Sequence, residues 1–112
     1  MTDSGGLAKR WRSLTLFEQM AHIGSEVERS IRAHESGREE RRGKALERAL
    51  ELFDMTAADE RWRGPRRREI LRAREEVCRL FFDDDAPVGS SRGLREYFLR
   101  FAVAARRGGS SR

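Results

Sequence analysis

Cysteine, histidine, proline and β-branched residues are all scarce in this chain, and each scarcity removes a class of protein. Cys78 is the one cysteine among 112 residues, so no intramolecular disulfide framework can form and a secreted, disulfide-stapled fold is excluded. The two histidines, His22 and His34, match no zinc-ligand spacing with that cysteine or with the carboxylates. There is no Gly-rich phosphate loop and no Gly-x-Ser-x-Gly elbow, and neither a metal nor a cofactor is expected. Valine, isoleucine and threonine occur singly, which argues against strands. No apolar run approaches the ~20 residues of a membrane-spanning helix, so no membrane partner is expected. Met1–Ala8 lacks the apolar centre of a secretion signal, and the cytoplasm is the expected location.

What is abundant is charge. Charged residues make up 38% of the chain, apolar residues another 38%, and the formal net charge is +5. Arginine outnumbers lysine 22 to 2. Between positions 16 and 107, however, 20 basic residues face 18 acidic ones, so most of the excess lies towards the two ends. A mixed-sign, solvated surface follows, and the high isoelectric point alone does not argue for nucleic acid.

The apolar positions recur with a helical period. Thr15 and Glu18 form a capping box, and Phe17, Met20, Ile23, Gly24, Val27 and Ile31 follow as one stripe up to Gly37, a left-handed stop. A second helix is expected from about Glu39 to Met55, with Ala45, Leu46, Ala49, Leu50 and Phe53 inward. Thr56 and Asp59 suggest a capped turn before Gly64. Pro65 opens a third helix, whose stripe is Ile70, Leu71, Val77, Cys78 and Phe81, with Glu75 and Arg79 paired four apart. Asp83–Asp85, Pro87 and Gly89 read as a loop. Ser91 is the expected cap of a fourth helix, which runs to about Arg106. The expectation is an all-α, antiparallel up-down four-helix bundle over 15–107, with flexible tails at 1–14 and 108–112.

Three features break the pattern. Arg74 falls inside the third helix's apolar stripe, so its charge requires a partner, and Glu26 at the edge of the first stripe is the candidate. The alternatives are a snorkelling side chain or a charge lining an anion cleft. On the fourth helix Leu94, Phe98, Phe101 and Ala105 share one face while Leu99 and Val103 point nearly opposite, which suggests a homodimer contact. Arg-Trp-Arg occurs at 10–12 and again at Arg61, Trp62 and Arg63, followed by Arg66, Arg67 and Arg68. An aromatic ring between arginines suits an anion or stacked nucleic acid, and it equally suits a tryptophan closing one end of the bundle. Glu18, His22, Ser25 and Arg29 also follow steps of four, three and four along the first helix. That spacing allows Glu18 to hold His22 as an acid or base, or it is an ordinary solvent-facing stripe.

Gly24-Ser25-Glu26-Val27, the run from Glu47 to Thr56, and Tyr97-Phe98 with Phe101-Ala102 and Ala104-Ala105-Arg106 resemble a group of small uncharacterised prokaryotic helical proteins. The likeness covers about residues 11–107 and implies one helical domain in which Gly24, Glu26, Asp54 and Thr56 belong to a shared scaffold. Arg29 and His34 spell Arg-x4-His, a spacing that resembles the motif of the HEPN superfamily, small helical bundles that are often dimeric ribonucleases or toxins. That resemblance implies that Arg29 would bind phosphate and His34 would act in catalysis or orientation at a dimer interface. From the residues themselves the expectation is a non-catalytic bundle that acts through protein–protein contact. It would self-associate through Leu99 and Val103 and present the basic 61–68 segment to an acidic partner. An RNA-binding or ribonuclease bundle is the alternative.

Overall fold

A computed structural model describes residues 4–83 and 89–108. Five α-helices pack together: α1 (Ser4–Arg12), α2 (Leu16–Glu35), α3 (Glu39–Ala57), α4 (Pro65–Phe82) and α5 (Ser90–Arg106), with a 3₁₀ turn at Glu60–Trp62 between α3 and α4. No strand occurs among the described residues. The expected count of four helices is corrected to five by α1, which lies within the segment expected to be a tail. Its anchor is a single residue. Trp11 is 6% exposed and its indole N–H donates to Thr56 Oγ1 at 2.9 Å, which docks α1 on α3. One anchor leaves no period to read, so the helix was invisible in the apolar pattern.

The other helix ends follow their local chemistry. The Thr15–Glu18 capping box opens α2, with both reciprocal bonds formed. At its far end Gly37 has a φ of +73°, its N–H bonds to His34 O, and the Arg38 N–H reaches back to Ala33 O. This pair of bonds is a Schellman motif, and the positive φ is what glycine supplies without steric cost. The capped turn before Gly64 is present, but Asp59 alone caps it, accepting from the Arg61 N–H. Thr56 is instead buried inside α3, its hydroxyl donating to Leu52 O. Pro65 opens α4. The fourth cap is also corrected: Ser91 lies within α5, whose N-cap is Gly89. The segment 84–88, which includes Asp84, Asp85 and Pro87, lies outside the described residues, as do 1–3 and 109–112.

The middle of the packet is α2, which packs on α3 along one side and on α5 along the other, while α4 closes on α3 and α5. Met20, Ile23, Val27 and Ile31 of α2 meet Leu46, Ala49 and Phe53 of α3, Ile70, Ala73 and Val77 of α4, and Leu94 and Phe98 of α5. Gly24 has a specific task here. A Cβ at this position would lie 2.7 Å from Phe98 Cβ, so its absence allows α2 and α5 their close approach. Phe98 in turn meets Phe53 edge-on at 6.2 Å. Ile70, Ala73 and Val77 define the inner face of α4, whereas Leu71, one step round, is largely exposed. Polar ties cross the helix seams: Arg95 forks onto Glu28 and Glu35, Tyr97 donates to Glu69, and Arg48 reaches Glu26. Burial and the Glu69 carboxylate both push the Tyr97 hydroxyl well above its ordinary range. Arg79 pairs with Glu76, three residues away, rather than with Glu75.

Candidate functional site

The two Arg-Trp-Arg segments converge. Gln19 of α2 is fully buried. Its amide N–H donates to Trp11 O at 2.8 Å and to Asp59 Oδ2 at 3.4 Å, while its carbonyl accepts the Trp62 indole N–H at 2.8 Å. A buried polar group is tolerated when its bonds are made, and the Gln19 amide makes them at both its nitrogen and its oxygen. Burial alone would raise the Asp59 carboxyl. The Arg61 guanidinium, the Arg61 backbone N–H and the Gln19 amide outweigh that and hold it below the usual carboxylate range. Arg61 also donates to Leu14 O at 2.9 Å and lies 4.4 Å over the Trp62 ring.

This arrangement decides what the 61–68 segment can do. Trp62 is 2% exposed, so neither ring face is open to a base, and the stacking expected of it is not available. Arg61 lies back over Asp59 although its side chain is 42% exposed, and Arg67 donates to Asp59 O at 3.5 Å while its Nε is buried without a partner among the described residues. Arg63 pairs with Glu60 at 2.8 Å, and Arg66 sits 5.7 Å over Trp62. Arg61, Arg63, Arg66 and Arg68 are all exposed, and only Arg67 of the segment's arginines is half-buried. Trp62 closes one end of the core.

Arg74 and Glu26 are not brought together. Arg74 reaches Asp54 of α3 at 3.0 Å, and its side chain is about one-third exposed rather than buried. Glu26 instead holds Arg29 at 2.9 Å and Arg48 at 3.5 Å. The period placed Arg74 on the inner stripe, but its length carries the guanidinium out over Cys78 to the α3 edge. Gly24 against Phe98, Glu26 on Arg48, Asp54 on Arg74, and Thr56 beneath Trp11 each make an interhelical contact.

The polar face of α2 is dispersed rather than assembled. Glu18 is committed to the Thr15 cap, and the His22 ring lies 5.8 Å from Trp11. Ser25 donates to Ala21 O. His22, Ser25 and Arg29 do line one groove of about 550 Å³ against α1, with Leu7 and Leu14 opposite. Arg29 and His34 lie on one unbroken helix, ~140° apart by its geometry. His34 leans edge-on against Phe81 and faces Glu39 at 3.5 Å, away from Arg29.

On α5, Leu94 and Phe98 are buried while Leu99 is 56% exposed, and Val103 and Ala102 beside it are partly covered. Leu99 and Ala102 border a shallow groove of about 430 Å³ whose other wall is Ala21, Ser25 and Arg29 of α2. The α2 wall went unread in the sequence, because small residues carry little weight in an apolar pattern.

Among the described residues no cluster of His, Cys, Asp and Glu could hold a metal ion, and no helix is long and apolar enough to cross a membrane. Against known protein families, curated proteins and solved structures the chain finds no match.

Proposed function

We propose that this chain is a non-catalytic helical-bundle protein that works by protein–protein contact, and that its first partner is a second copy of itself. The supporting observation is Leu99. It stands 56% exposed in the middle of α5, with Val103 one turn on and the small residues Ala21, Ser25 and Ala102 beside it. A large apolar side chain next to small ones is the knob and the hole of helix packing, and a two-fold contact supplies both from one surface. The hydroxyl, imidazole and carboxylate groups of α2 are spent on caps, rings and ion pairs, which favours binding over chemistry. A ribonuclease of HEPN type would have to bring Arg29 and His34 together across two copies.

Sedimentation equilibrium tests this directly. The parent protein should be dimeric at ~100 µM, a concentration that populates a dimer of micromolar affinity. Leu99→Glu should be monomeric there with unchanged helix content, since Leu99 carries none of the core. A monomeric parent protein, or a Leu99→Glu variant that still dimerises, would overturn the assignment.

A further inference from the structure

We infer that the groove between the C-terminal half of α2 and the N-terminal half of α3 binds the phosphodiester backbone of a nucleic acid duplex without reading its sequence. Two rows of cations face each other across it. Arg29 and Arg32 come from α2, and Arg38, Arg41, Lys44 and Arg48 come from α3. No carboxylate lines this groove of about 330 Å³. The rows arise from spacing. Three- and four-residue steps put each set on one helix face, and the Schellman turn at Gly37 folds the two faces together. Arg29 and Arg48, opposite in chain direction, meet at Glu26 and mark the far end.

The charge there is available. Arg38 and Arg41 have no acidic partner among the described residues. Arg32 to Glu28 and Lys44 to Glu40 are single-point pairs at 3.1 and 3.9 Å in which the Arg32 and Lys44 side chains are mostly in water, and such pairs hold little. Glu39 and Glu40 begin α3 but do not line the groove. Its lining includes the small buried residues Ala33 and Ala45, which leave depth between the rows. From Arg38 to Arg48 the α3 row is about 15 Å long at 1.5 Å per residue. At about 3.4 Å of duplex axis per phosphate of one strand, a row lying along that axis spans on the order of four phosphates. No aromatic ring is among the lining residues, so base stacking has no platform and the backbone is the feature recognised.

The test is fluorescence anisotropy with the full chain and a labelled duplex of about 20 base pairs, as DNA and as RNA, titrated between about 50 and 200 mM salt. Arg38→Glu/Arg41→Glu should weaken binding at least tenfold and flatten the slope of log affinity against log salt by about 2, because each lost phosphate contact removes about 0.9. Arg38→Gln/Arg41→Gln should lose part of that. Folding does not confound the comparison, since glutamate in the first turn of α3 favours its positive end and helix content should hold or rise. Arg63→Glu/Arg68→Glu makes the same change in net charge outside the groove and should retain most of the affinity. Equal loss in both pairs would mean diffuse charge and no site. Absence of binding at the low salt would also overturn the assignment. Displacement of the duplex by poly-glutamate at equal charge would overturn it in favour of an acidic protein surface.

Discussion

Replacing Gln19 with leucine is the sharpest probe of how this fold is held. The two side chains are close in volume, so the change is one of bonding more than of packing. Gln19 is fully buried and makes three hydrogen bonds, to Trp11 O, to Asp59 Oδ2 and from Trp62 Nε1. The losses are unequal. Trp11 O still accepts from the Leu14 N–H, and Asp59 still holds Arg61. The Trp62 indole N–H bonds to no other acceptor among the described residues and is sealed from water, so it bears the full desolvation penalty of ~1–3 kcal/mol. Adding ~1 kcal/mol for the bonds that are lost but partly replaced puts the total at ~2–4 kcal/mol. For a domain of this size that is a fall in Tm of roughly 8–16 °C. Urea unfolding followed by circular dichroism measures it, with an unchanged m-value expected for an intact native state. The double variant Gln19→Leu/Trp62→Phe removes the orphaned donor as well, so its cost should fall short of the sum of the singles by ~1 kcal/mol. If Gln19→Leu unfolds within ~0.5 kcal/mol of the parent, or if the two changes simply add, the buried amide is not what joins the tryptophans.

Two further outcomes follow from named contacts. Gly24→Ala and Gly43→Ala should have opposite signs: at Gly43 nothing lies within 4 Å of an added Cβ, so the helix-propensity gain of up to ~1 kcal/mol survives. At Gly24 the new methyl meets Phe98 Cβ at 2.7 Å, and prising α2 from α5 should cost ~1–3 kcal/mol, leaving the variant less stable in urea. Acid sensitivity should be concentrated in Asp59. Its folded pKa is depressed, so its stabilisation is complete above the ordinary aspartate range near ~4 and is lost as pH falls through the lower folded value. Asp59→Asn should therefore be less stable than the parent at neutral pH and converge on it in acid, and a constant gap across that range would assign the acid response elsewhere.

The chain on its own determined the parts that depend on near neighbours. Thr15 with Glu18 opens α2 and Gly37 closes it, Pro65 opens α4, and the three- and four-residue rhythm names Val27, Phe53, Val77 and Phe98 as core, because caps and amphipathic faces are settled within a few residues. Tertiary structure decided whatever spans the chain. Trp11 turns an aperiodic beginning into a docked helix only by reaching Thr56, 45 residues away, and Gln19 joins Trp11 to Trp62 across 43. The same distance hid Asp54 as the partner of Arg74, since helix periodicity gives the direction of a side chain but not which helix lies opposite. It also hid the basic groove: Arg29, Arg32, Arg38 and Arg41 look like scattered surface charge until the turn at Gly37 lays one helix against the other. Local rules fix where each helix starts and which way it faces, while the pairing of faces is a property of the packed whole.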